Sequence, residues 1–191
     1  MDTWVLPALL GLGLAAASGF RTFLPLLMLS IAAHFNLFGI DLSHSFAWVG
    51  STGALVALAI AAVVELLADL IPFVDNALSL VGNVSGPVAG AIAAGSAFSS
   101  HDPTTAAIAG IIVGAPTALA FSTAQTGVRA ASTATTAGVA NPIVSVIEDV
   151  VTFLTSLIAL IAPILIPIVL GAIGWVAWRG YQRFRRRTAA V

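Results

Sequence analysis

The chain is a succession of long apolar runs broken by short polar stretches. Residues 4–33 carry no charge except Arg21. A bilayer core of ~30 Å needs about 20 apolar residues as a helix, so this run is long enough to span it, with an interruption predicted near Ser18-Gly19. Residues 34–47 form a polar or interfacial loop. Further apolar segments fall at 48–71, 77–98, 104–121, 143–162 and 164–182. Pro72 and Asp75-Asn76 predict a turn after the second segment, and Pro103 is placed to open a helix. The Ser/Thr/Ala-rich stretch 122–136 fits either the lining of a wet cavity or an interfacial loop. Pro163 and Pro167 interrupt the last run in "IAPILIP", which has no polar turn residue. Residues 143–182 are therefore either two spans or one kinked or re-entrant element. The pattern predicts an all-α polytopic membrane protein of about six transmembrane helices, some broken or re-entrant.

Composition agrees. Hydrophobic residues make up 59% and charged residues 8% of the 191, where a soluble domain carries about 25% charged. A single transmembrane domain over 1–191 is expected. Ala15-Ala16-Ala17 resembles a signal-peptide cleavage site, but Asp2 precedes it and the apolar run continues past it, so the segment is read as retained. Cysteine is absent, which excludes disulfides, thiolate nucleophiles and Cys-ligated metals. All seven basic residues are arginine, and five lie in the tail 179–191 (Arg179, Arg183, Arg185, Arg186, Arg187). An Arg-rich end next to Trp175, Trp178 and Tyr181 reads as a cytoplasmic C-terminus with an interfacial aromatic belt. A topology anchor among membrane lipids explains this tail better than nucleic-acid binding.

A faint repeat emerges. "SGFRT" (18–22) matches "TGVRA" (126–130) as hydroxyl-Gly-x-Arg, and each precedes an acidic residue in an apolar run, Glu65 and Glu148. Two halves of three spans, 4–98 and 104–182, would be an inverted repeat of the kind common in secondary transporters. On these boundaries, however, both glutamates fall toward the cytoplasmic helix ends, whereas inversion would separate them in depth. Gly86/Gly90 and Gly110/Gly114 have the small-xxx-small spacing of close helix contacts in lipid.

The candidate chemistry is confined to Arg21, Glu65, Asp69, Asp75, Arg129, Glu148 and Asp149. Two arginines face five carboxylates, an excess of negative charge that calls for hydration, protonation or a bound cation. Glu65 and Asp69 share one helix face. Glu148 and Asp149 point about 100° apart and should meet different partners. The two Gly-x-Arg elements suggest helix breaks whose free N–H groups and guanidinium would hold an anion. The plainer reading is an Arg21–Glu65 or Arg129–Glu148 pair that orients helices. His34, His44 and His101 lie in loops without metal-ligand spacing, so no metal and no cofactor is expected. Ser85 has no intramembrane histidine to activate it, so no enzyme is expected either. Asn83 and Ser85 read as interhelical hydrogen-bonders.

"AASGFRTFLPLL", "ELLADLIPFVDNAL", "GPVAGAIAAG", "TGVRAASTAT" and "ANPIVSVIEDV" together resemble a bacterial membrane-protein family, domain of unknown function 4126. The resemblance implies the bacterial cytoplasmic (inner) membrane and joins Arg21, Glu65, Asp69, Asp75, Arg129, Asn141, Glu148 and Asp149 into one set. Family members often carry basic residues where Leu70, Gly86 and Gln125 or Thr126 stand here, so the acidic excess is larger in this chain. The function expected is a small secondary transporter or flippase, proton- or cation-coupled, for a small anion or an anionic lipid headgroup. Arg21, Arg129 and Asn141 would bind the anion. Glu65, Asp69, Asp75, Glu148 and Asp149 would carry protons or cations. A homodimer would thicken the wall around such a pathway. A non-transporting scaffold with static ion pairs, or an ion channel, are the alternatives.

Overall fold

The computed structural model describes residues 4–68 and 72–188, with the side chains of 72–81, 83 and 183–188 outside that description. The described residues are helical with irregular connections: α1 Val5–Phe20, α2 Phe23–His34, α3 Thr52–Ala68, α4 Pro72–Ser96, α5 Pro103–Ala109, α6 Ala115–Thr136, α7 Asn141–Ile161 and α8 Ile166–Thr188. A π turn, Gly110–Gly114, joins α5 and α6 into one helical run. Short 3-10 turns lie at Leu37–Gly39, His44–Gly50 and Pro163–Leu165.

Among the described residues, three helical runs are long and apolar enough to cross a membrane: Pro103–Thr136, Asn141–Ile161 and Pro163–Gln182. A fourth exists if His44–Gly50 and Thr52–Ala68, bent by 64°, count as one span. Val5–Phe20 and Phe23–His34 are shorter apolar helices, and the described side chains of α4 give an apolar stretch over Val84–Ser96. Outward faces are apolar, as lipid contact requires: Ile60, Val63 and Leu67 on α3, and Val146, Ile147 and Phe153 on α7 are all exposed.

The helices register through a few contacts. Trp4, before α1, stacks on Phe98 and His101. At the end of α2, Ser30 donates to Val49 O (2.6 Å), and His34 Nδ1 lies 2.9 Å from Gly50 O. Ser43 N–H donates to Ser96 O (3.0 Å). The start of α1, the end of α2, the start of α3, the end of α4 and the start of α5 therefore share one end of the bundle. It follows that α1 and α2 are a hairpin that enters the bundle and returns, with Arg21-Thr22 at its tip. At ~1.5 Å rise per residue the tip lies about 18–24 Å from the shared end.

Central α1 packs against α4, α6 and α7. Small residues make this close approach feasible: a methyl on Gly11 would meet Ala94 Cα at 2.9 Å, and one on Gly13 would meet Ile166 at 2.6 Å. The spacing Gly86/Gly90 and Gly110/Gly114 does mark a tight contact. A methyl on Gly90 would lie 2.6 Å from Ala118 Cβ, and methyls on Gly110 and Gly114 would collide with Ala91 O and Gly90 O. Leu10, Leu14, Leu26, Leu29, Ala93 and Ile166 fill the apolar core.

Three sequence expectations change, and one choice between two readings is decided. The first segment breaks at Arg21-Thr22, while Ser18 and Gly19 stay inside α1, buried. Residues 72–76 are helix and belong to α4. Residues 122–136 continue as helix α6 to a left-handed Ala137 (φ 52°) and Gly138 (φ 86°). "IAPILIP" is a turn between two separate helices, with Ala162 off the helical region (φ −144°). The halves also differ at their first element. α6 runs parallel to α1, since Pro103 starts near Trp4's end and Phe121 reaches Phe20 (5.3 Å between rings). In contrast, α3 and α7 run oppositely: Glu65 meets the hairpin tip from the shared end, and Asn141 starts α7 on the far side.

Candidate functional site

The break at Arg21 is an extended residue (φ −137°, ψ 121°) whose N–H still closes α1 on Ala17 O (3.0 Å). The next helix begins at once, so its first N–H groups have no acceptor within the helix. Glu65 reaches over from α3 to supply one. Thr22 N–H donates to Oε1 at 2.7 Å and Phe23 N–H to Oε2 at 3.1 Å. A carboxylate thus sits on the positive end of a half-helix, at the hairpin tip. Thr22 Oγ1 and Ser85 Oγ, 3.2 Å apart, tie the tip to α4, the interhelical role expected of Ser85. The side chain of Asn83 lies outside the described residues.

Both arginines turn toward one stretch of α7. Arg21, 3% exposed, brings Nε within 2.6 Å of Asp149 Oδ1, a contact of charges without hydrogen-bond alignment. Its Nη2 donates to Ser145 O at 3.2 Å. Arg129 donates to Glu148 Oε2 through Nε (3.1 Å) and Nη2 (2.7 Å), and to Ser145 Oγ through Nη2 (2.8 Å). Gln125 Nε2 donates to the same Glu148 oxygen (2.9 Å) and to Phe20 O (3.0 Å). Glu148 and Asp149 do meet different partners, as their 100° separation requires.

Ser145 is the joint that the sequence reading missed: its carbonyl serves Arg21 and its hydroxyl serves Arg129. The available signal was spacing, because Ser145 stands three and four residues before Glu148 and Asp149 on one helix face. Gln125, four residues before Arg129, carried the same signal.

The two Gly-x-Arg elements converge, but only one is a break. Gly127 lies inside continuous α6 with open space around it. Gly19 is a packing point, where a methyl would meet Ala118 O at 2.5 Å. Asn141 opens α7 one turn before Ser145 and donates to Thr133 Oγ1 (3.1 Å). Asp69 and the side chain of Asp75 lie outside the described residues. Among the described residues, no three His, Asp or Glu side chains gather closely enough to hold a metal ion.

The sequence profile of the family described as Domain of unknown function (DUF4126) matches residues 8–183. The chain belongs to the DUF4126 family. That match takes in the whole cluster, from Arg21 through Glu65 and Arg129 to Asp149. Neither the curated proteins nor the solved structures contain a match to the chain. For this DUF4126 domain, then, the chemistry rests on the cluster itself: two guanidiniums, three described carboxylates and a half-helix N-terminus, one negative charge in excess.

Proposed function

We propose that the protein is a small secondary transporter or flippase of the bacterial cytoplasmic membrane, proton- or cation-coupled, moving a small anion or an anionic lipid headgroup. The observation that carries this reading is the Glu65 carboxylate seated on the N–H groups of Thr22 and Phe23. A site that receives a carboxylate from its own chain has the donors to receive one from a substrate. Protonation of Glu65 would weaken its hold on those donors and free them, beside Arg21, for an incoming anion. That exchange couples one proton to one anion.

An open apolar groove of about 550 Å³ starts at Thr22 and Ser85 and runs between α2 and α4 past Leu26, Val88 and Ile92. It favours the anionic-lipid version, with a tail in the groove and a headgroup at the tip. We place the Arg-rich tail in the cytoplasm by the positive-inside rule. The α1–α2 hairpin adds no net crossing. If every later helix crosses, the two ends of the chain lie on opposite sides, instead of the shared side that six spans in two inverted halves of three would give. A homodimer fits the narrow wall of one chain.

The static-scaffold reading is favoured by one observation: both guanidiniums are already ion-paired and largely buried. Liposome reconstitution separates the two. Labelled anionic lipid and small-anion movement are measured with and without a pH gradient. The transporter should move one of them, and Glu65→Gln should abolish the gradient dependence. Equal movement by wild type, Glu65→Gln and Arg21→Ala, or no movement at all, would leave the scaffold.

A further inference from the structure

Helix α7 is inside-out. Its exposed face is apolar (Ile143, Val146, Ile147, Val150, Phe153, Leu154), while five of its seven buried residues are polar: Ser145, Glu148, Thr152, Thr155 and Ser156. In lipid an apolar inner face would pack at less cost, because every buried hydroxyl must find a partner. Other hydroxyls in the chain solve this on their own helix, three of them as follows. Ser18 donates to Leu14 O (2.9 Å), Ser96 to Ile92 O (2.7 Å) and Thr126 to Ser122 O (2.9 Å). Thr152 and Ser156 are fully buried, and neither hydroxyl has a hydrogen-bond partner. They lie on the buried side of α7, the helix that packs on α1 and α2.

Asp149, one turn before Thr152, is 30% exposed, whereas its partner Arg21 is 3% exposed. From Asp149 to Ser156 the polar face covers about 10 Å of helix at ~1.5 Å per residue. The helices against this face bring few charges: Arg21 from α1, Arg129 from α6 and, at the shared end, His34 from α2. Beyond Ser156 the next buried residues are Ala159 and Leu160.

We propose that the seam of α7 against α1 and α2 takes up a file of water, bonded to Thr152 Oγ1 and Ser156 Oγ, that carries protons to and from Asp149 and Glu148. Buried waters settle where otherwise unsatisfied polar groups surround enough room, and two orphaned hydroxyls one and two turns from a partly exposed carboxylate meet the first condition. The purpose of the file rests on the proton-coupled reading above, with Asp149, ion-paired to the arginine at the hairpin tip, passing the proton on toward Glu65; its existence does not.

The chain lacks cysteine, so single thiols can be read without background. Ser156→Cys replaces a hydroxyl by a thiol, and Thr152→Cys does so with the loss of one methyl. In membrane vesicles, a small cationic methanethiosulfonate should modify both at least tenfold faster than Ala159→Cys, one turn beyond, and Phe153→Cys, facing lipid. Rates at Thr152→Cys and Ser156→Cys no faster than at those two controls would overturn the file, and so would reaction at Thr152→Cys alone. Monodisperse elution of each variant guards against misfolding. Because labelling needs no transport, its failure is distinct from failure of the transport reading. In liposomes, the Thr152→Val/Ser156→Ala double variant should keep substrate movement and lose at least tenfold of its pH-gradient dependence. Unchanged coupling would overturn the proton role.

Discussion

Gly19-Phe20-Arg21 and Gly127-Val128-Arg129 share a motif and part company in space. In the first, the chain leaves the helix at the arginine and turns back, and the glycine is pressed against the α6 backbone. In the second, the helix runs straight through and the glycine faces open space. Both arginines nevertheless end on neighbouring residues of α7. Similar sequence thus delivered the same side chain to the same place by two backbone routes. The lesson is that an arginine is positioned by its carboxylate and not by the glycine before it.

The largest expected effect tests the arginines. Arg129→Ala strands Glu148, which is 7% exposed, so it should destabilise by about 3–5 kcal/mol, the usual cost of breaking a buried pair. Arg21→Ala leaves Asp149, which is 30% exposed and can be hydrated; its cost should be smaller. Reversible unfolding in mixed micelles gives both, and the opposite order would break the comparison. Next come the glycines. Gly19→Ala should cost about 1–3 kcal/mol through overpacking against Ala118, whereas Gly127→Ala should stabilise by about 0.5–1 kcal/mol as a helix-interior replacement. Equal effects would show that the two positions are alike after all.

The smallest effect contrasts two capped helix starts. Glu65 caps α2 from another helix, while Asp102 caps α5 locally, accepting from Thr104 N–H and Thr105 N–H (3.1 and 3.0 Å) and from the Thr105 hydroxyl. The Thr105 hydroxyl first, and then its N–H, hold the Asp102 carboxyl below its ordinary value of 3.8. The folded-state value is depressed, so the cap's contribution is present above the unfolded pKa and is lost as pH falls through the folded one. Asp102→Asn should therefore flatten the acid limb of a melting-temperature profile below pH ~4. An unchanged acid limb would mean the cap carries no pH-linked stability.

Much of this was readable in the residues. Apolar runs of about 20 with one embedded charge dictate helices in lipid, and the small-residue spacing dictates where two of them touch, since only hydrogen-sized side chains permit backbone contact. Pro103 after Asp102 marked a helix start correctly, because both are local signals. The break at Arg21 was misplaced by two residues, since glycine permits a break without requiring one. The extent of α6 was unreadable because Ser, Thr and Ala are common to wet helices and loops alike.

By itself the sequence determined an all-helical membrane protein, its ionisable set and the different partners of Glu148 and Asp149, which follow from helix periodicity. Only the tertiary structure decided that α1 and α2 return to one end, that Glu65 serves a helix start, and that Ser145 joins the two arginines. These contacts bridge up to 124 residues of chain. No local pattern encodes them, because they depend on which helices the small residues allow to meet.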